Sequence, residues 1–175
     1  MAISKRCGFV RHFITFQYLT IYGKENVLVD DKGVAKLCDF GTSRVEPGCP
    51  CAGEIEGQQG SVSFDSPELI VNEPQRTRES DMWAFGCLAL QAQFGTIPYV
   101  GNPRIAWHRI RAGSPPADET TITLNPDDSA SHFVWLFMQE CWDWAPEQRP
   151  DAIGLFTRID AFAMENILEP ANDVE

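Results

Sequence analysis

Two residues near the start of the chain have the types and spacing for cation chemistry, Asn26 and Asp39. An amide oxygen beside a carboxylate suits a hard, oxygen-preferring cation such as Mg²⁺, usually shared with phosphate oxygens. The stretch between them must bring them together, and it reads as a β-hairpin. Val27, Leu28 and Val29 form one apolar run, and Ala35, Leu37 and Cys38 sit in a second. Asp31-Lys32-Gly33 supplies the turn, with Gly33 free to take positive φ. A hairpin draws its outer ends together, so Asn26 and Asp39 are expected to face one space. Gly41, two positions past Asp39, lets the backbone turn sharply there.

The remaining elements supply the body that carries this hairpin. From Phe13 to Tyr22 apolar residues nearly alternate, which reads as strand. Thr42 to Gly60 is rich in Gly, Pro, Cys and Glu without periodicity, the signature of a long exposed loop. Thr42, Ser43, Ser61 and Ser63 are hydroxyls open to phosphorylation, which would need an Arg partner. Ser80–Phe94 is the strongest helix, with Ser80 as N-cap, Asp81 in the first turn, apolar residues on nearly every side and Gly95 as the stop. Arg104–Ala112 reads as a short amphipathic helix with Ile105, Trp107 or His108, and Ile110 inward. Residues 117–130 read as acidic loop. Ser131–Cys141 reads as an apolar helix carrying Phe133, Val134, Leu136, Phe137 and Met138. Asp151 caps a last helix in which Ile153, Phe156, Ile159 or Asp160, Phe162 and Ile167 recur at helical spacing.

Charge is unevenly spread along the 175 residues. Residues 1–45 carry seven Lys+Arg and four Asp+Glu, and residues 46–175 carry seven and twenty-one, so +3 and −14 sum to the net −11. An acidic body argues against nucleic-acid binding. No apolar run reaches the length of a membrane span, and Arg11 and His12 interrupt the apolar stretch a secretory signal would need. Cys49-Pro50-Cys51 has no second pair and no nearby His to make a zinc site. Cys38, Cys87 and Cys141 sit in apolar segments as small hydrophobes, a usage that fits a reducing, cytoplasmic setting. His12, His108 and His132 are scattered, and the five tryptophans read as core.

Four blocks in order along the chain resemble the protein kinase superfamily. They are Asn26 with Asp39-Phe40-Gly41, then Ser66-Pro67-Glu68, then Asp81-x-Trp83-x-Phe85-Gly86, and last Cys141-Trp142 with Pro146 and Arg149-Pro150. The last block is typical of tyrosine kinases and of tyrosine-kinase-like serine/threonine kinases. The resemblance covers residues 22–168, the C-terminal (large) lobe from the end of the catalytic loop. It implies a mainly α fold, a helical bundle with a small β-hairpin. It divides the chain into an N-terminal segment 1–21 unlike the family, the lobe 22–168 with its activation segment 39–68, and an acidic tail 169–175.

The resemblance also implies ATP and Mg²⁺ as cofactors. Asn26 and Asp39 are then the metal ligands, and Phe40 and Gly41 complete the cofactor-binding set. Ser61 stands where a Thr places the substrate. Glu68 pairs with Arg149, Asp81 holds the backbone of the catalytic loop, and Trp83 is structural. The partners implied are a protein substrate or a regulatory protein, with no nucleic acid and no membrane.

The chain departs from the pattern in telling ways. No His-Arg-Asp occurs. The position five before Asn26 is Ile21, and one insertion would make it Thr20. Ser66 replaces the Ala of Ala-Pro-Glu. The Gly-rich phosphate loop, the strand Lys, its partnering Glu and the small lobe as a whole have no counterpart. The expectation is a kinase-domain fragment whose parent transfers phosphoryl groups from ATP to protein Ser/Thr, silent as this chain alone. The alternative is a pseudokinase-type binding or regulatory module.

Overall fold

A computed structural model describes residues 27–31, 33–38, 62–71, 76–100 and 103–168. The strand-like N-terminal stretch, the 42–60 loop, Asn26, Asp39, Phe40, Gly41, Ser61 and the acidic tail lie outside the described residues. The described part is mainly helical with one small antiparallel sheet, as a kinase-like C-terminal lobe requires.

Strand β1 (Val27–Val29) pairs with β2 (Ala35–Leu37) in the register Val27 to Leu37, Leu28 to Lys36 and Val29 to Ala35. The turn is built by Asp30. Its carbonyl accepts from Gly33 N at 2.9 Å, its Oδ1 accepts from Val34 N at 2.9 Å, and its Oδ2 meets Lys36 Nζ at 2.9 Å. Gly33 takes φ 80°, the left-handed value that favours glycine. The open end of the hairpin is the Val27–Leu37 pair, from which the chain leads to Asn26 on one side and Asp39 on the other.

A 3-10 turn at Val62–Phe64 leads into the short helix α1 (Pro67–Val71). The central helix α2 runs Arg78–Phe94, so it starts two residues before the expected Ser80. Its N-cap is Thr77 and not Ser80. Thr77 Oγ1 accepts from Ser80 N at 3.2 Å while Ser80 Oγ accepts from Thr77 N at 2.9 Å, a reciprocal capping box that satisfies two otherwise unpaired donors. A Ser-Asp pair reads as a helix start, but the same Ser serves equally at the third helical position. At the far end Gly95 takes φ 65° and donates its N–H to Gln91 O.

Helix α2 is buried along most of its length, with Trp83, Cys87 and Leu90 fully so. It packs chiefly against helix α4 (Ser129–Cys141). The closest approach is at Gly86, where an added Cβ would lie 2.7 Å from Trp142 Nε1 and 2.9 Å from Cys141 Cβ. Both neighbours are buried, so neither can yield freely. Gly86→Ala is expected to cost about 1–3 kcal/mol by overpacking. Thermal unfolding checks this, and an unchanged Tm would mean the two helices separate easily.

Helix α3 spans Pro103–Arg111 and closes on Gly113 at φ 77°, whose N–H reaches Ile110 O. Its inward residues are Ala106 and Ile110; Ile105, Trp107 and His108 all face out. The sequence pattern placed Ile105 and one of the two aromatics inward. An i, i+4 pair with a small first member suffices to bury this helix, and the Arg111 guanidinium covers Trp107, 4.6 Å from the ring centroid.

Helix α4 begins at Ser129, because Asp128 caps it. Its Oδ1 accepts from the backbone of Ala130 and Ser131 at 3.1 Å each, and its Oδ2 accepts from Ser131 Oγ at 2.6 Å. The last residues of the expected acidic loop are thus its cap and first turn. Trp135 is buried, as expected of a core tryptophan, whereas Leu136, read from the sequence as part of the apolar helix, is exposed.

The last helix, α5, runs Ala152–Leu168, with Asp151 Oδ1 accepting from Gly154 N at 2.8 Å. It turns Leu155, Ile159 and Phe162 toward the body and leaves Ile153 and Phe156 in solvent. The Phe162 ring stacks on Phe133 with centroids 4.2 Å apart, and Arg158 makes a bidentate pair with Glu140. Trp107 and Trp144 are exposed, while Trp83, Trp135 and Trp142 are core. No helix among the described residues is long and apolar enough to cross a membrane.

Candidate functional site

The described part of the site is the anchor at the end of the long 39–68 segment. Its centre is Arg149, whose side chain is fully buried just before helix α5. Arg149 Nη1 donates to Glu68 Oε1 at 2.7 Å and Nη2 to Glu68 Oε2 at 2.9 Å. Nη1 also donates to the carbonyl of Glu79 at 2.9 Å, and Nε to that of Asp143 at 2.9 Å. One guanidinium therefore ties together helix α1, the first turn of α2 and the turn before α5. The rigid fork of donors is what lets it do so. The buried ring of Trp83 forms its floor, with the guanidinium carbon 5.1 Å from the ring centroid.

Burial works to raise the carboxyl of Glu68, but the hydrogen bonds and charge of Arg149 outweigh it and hold the group below its ordinary value of 4.5. A carboxylate with a depressed folded value lends stability that is present above the unfolded value and is lost as the pH falls through the folded one. Asp65 behaves oppositely. It is buried beside Ser66, with only a 3.5 Å contact to Arg76, and desolvation pushes its carboxyl above 3.8. Protonation of Asp65 therefore relieves strain while protonation of Glu68 creates it. Glu68→Gln is expected to flatten the acid side of the stability curve as the pH falls below the ordinary value of 4.5. Denaturant midpoints measured across that range check this, and curves of equal slope for the two proteins would refute it.

Sequence reasoning named Glu68, Asp81, Trp83 and Arg149, and the structure brings Glu68, Trp83 and Arg149 into one cluster. Asp81 lies one turn into α2, exposed, with partial burial pushing its carboxyl up against the opposing pull of Arg76. The backbone it is expected to hold lies outside the described residues. The carbonyls of Glu79 and Asp143 and the buried Asp65 were missed. Backbone acceptors leave no signal in side-chain type, whereas Asp65 directly before Ser66-Pro67-Glu68 was available to notice. Buried Cys87 and Cys141 are unreactive thiols. Desolvation raises both, Cys141 to about 12.

The family model for the protein kinase domain matches residues 23–158. This chain belongs to the protein kinase family. It is similar to the tyrosine-protein kinase transforming protein Fps of avian sarcoma virus (strain PRCII), 32% identical over 126 residues, covering 71% of this chain and 22% of that protein. Tyrosine-protein kinase Src64B of Drosophila melanogaster is 32% identical over 144 residues, 79% of this chain and 24% of that protein. Mitogen-activated protein kinase kinase kinase 9 of Arabidopsis thaliana is 33% identical over 132 residues, 74% of this chain and 16% of that protein. The chain thus spans less than a quarter of each of these relatives. The Glu68–Arg149 pair fastens the short helix α1 to the helical body.

Proposed function

We propose that residues 22–168 form the C-terminal lobe of a kinase that transfers the γ-phosphoryl of ATP to a Ser or Thr hydroxyl of a protein, with residues 39–68 as its activation segment. We further propose that the chain alone does not catalyse this transfer. The observation that carries the reading is the fourfold engagement of Arg149, which fixes the platform leading back from Glu68 to Val62. Ser61, the next residue in sequence, is the one we assign to positioning the substrate hydroxyl. Asn26 precedes β1 and Asp39 follows β2 in sequence, and an amide and a carboxylate are a donor set that fits Mg²⁺. Asn26 and Asp39 would hold a cation whose charge would offset that of the ATP phosphates. We assign Phe40 and Gly41 to the cofactor-binding set and Asp81 to steadying the loop before Asn26.

Silence of the chain alone follows from what is missing at the hydroxyl. Neither Ile21 nor Thr20 can orient and accept a proton as a carboxylate would. That same observation favours a second reading, a pseudokinase-type module that binds a regulatory protein. Buried thiols at Cys87 and Cys141 support a reducing, cytoplasmic setting for either. The test is phosphate incorporation into protein by the purified chain at millimolar Mg·ATP, with Asp39→Asn as control. No signal above the control is expected. Signal above it overturns the claim of silence and demands a base not named here. A longer natural form carrying His-Arg-Asp that labels Ser/Thr decides for the kinase reading, and one that stays silent decides for the pseudokinase. Label on Tyr would overturn the Ser/Thr assignment.

A further inference from the structure

Helix α5 has two apolar faces, and only one of them is used. The inner face carries Leu155, 1% exposed, with Ile159 and Phe162 against the body. A helix packed on one side ordinarily turns a polar face to solvent. Here the opposite face carries Ile153 at 79% exposure, Phe156 at 67% and Met164 at 58%. These residues follow the helical repeat, and the eleven-residue step from Ile153 to Met164 makes a stripe roughly 16 Å long. Ordered apolar exposure of this kind marks an interaction surface.

The charge around the stripe says what chemistry fits it. Asp160 lies within it, one turn from both Phe156 and Met164, and is exposed. Asp151 sits at its N-terminal end and Glu165 follows Met164. No ion pair engages Asp160 or Glu165 among the described residues. The single cation of the helix, Arg158, is taken by Glu140. The surface is therefore apolar and acidic, with its negative charge uncompensated.

We propose that this face of α5 docks a basic amphipathic helix of a partner protein. Such a helix carries apolar residues at i, i+3 or i+4, and i+7 to meet Ile153, Phe156 and Met164, and Lys or Arg to meet Asp160. The proposal stands apart from phosphoryl transfer, because α5 carries none of the metal-binding or substrate-positioning residues.

The test uses two synthetic amphipathic peptides of the same pattern, one Leu/Lys and one Leu/Glu, titrated into the whole chain by fluorescence anisotropy. Saturable binding of the Leu/Lys peptide is expected, with none of the Leu/Glu peptide at the same concentrations. The double variant Ile153→Ser, Phe156→Ser is expected to weaken binding about thirtyfold, the loss of a hot spot. Asp160→Lys is expected to weaken it about tenfold. Their exposure means that all three substitutions leave the fold intact, which circular dichroism checks. Absence of binding, equal binding of the two peptides, or variants that bind as the natural chain does would each overturn the proposal. Sedimentation of the natural chain as a dimer that the Ser variants abolish would overturn it too, because the occupant would then be a second copy.

Discussion

Arg149→Ala lowers the unfolding free energy by about 3–5 kcal/mol, the range for breaking a buried ion pair from one side. The substitution leaves Glu68 with no cation and the carbonyls of Glu79 and Asp143 without their donors. Those orphaned groups, more than the lost attraction, make the change costly. Domains of ordinary stability have about 5–15 kcal/mol in total, so the variant stands near the edge of folding. Arg149→Lys is expected to rescue little, because a single ammonium cannot span the Glu68 carboxylate and two carbonyls in different directions. Chemical denaturation gives both numbers, and a variant within about 1 kcal/mol of the natural protein would mean that the anchor is ornamental.

Trp83→Ala is expected to cost a similar amount, about 3–5 kcal/mol, for a different reason. The indole is fully buried in the middle of α2, and its loss opens a large cavity between that helix and its neighbours. It also removes the floor beneath the Arg149 guanidinium. Trp83→Phe retains part of both contributions. It keeps an aromatic face under the guanidinium and gives up only part of the volume, so it should lose well under half of the Ala effect. Equal losses for Phe and Ala would contradict this, because neither the retained volume nor the retained aromatic face would then support the site.

Much of this fold is legible in the sequence, and the gaps have physical causes. The hairpin is readable because Gly33 and its acidic flank specify a turn locally. Helix α2 is readable because residues apolar on every side leave only burial as an explanation. Its exact start is not, because Thr77 and Ser80 cap each other and either alone looks like the cap. The start of α4 is hidden in an acidic run, since Asp128 serves as a cap only once the backbone has turned. Faces are the hardest part. Periodicity placed Ile153 and Phe156 on a helix correctly but could not say which apolar face the body covers. On α3 it placed Ile110 inward correctly, but it favoured Ile105 and an aromatic where Ala106 makes the contact. The partnership of Glu68 and Arg149, 81 positions apart, has no local signal at all. Only the resemblance to the kinase pattern pointed to it.

The anchor is tested most directly by a double-mutant cycle on Glu68 and Arg149, using Glu68→Gln, Arg149→Met and the double variant, with unfolding free energies from denaturant titration at neutral pH. Each single change strands one member of the pair, and the double change strands neither. The expected coupling is at least about 1.5 kcal/mol, with the double variant less damaged than the sum of the singles. Losses that simply add would contradict the account, because the segment ending at Glu68 would then not be held to the helical body by Arg149.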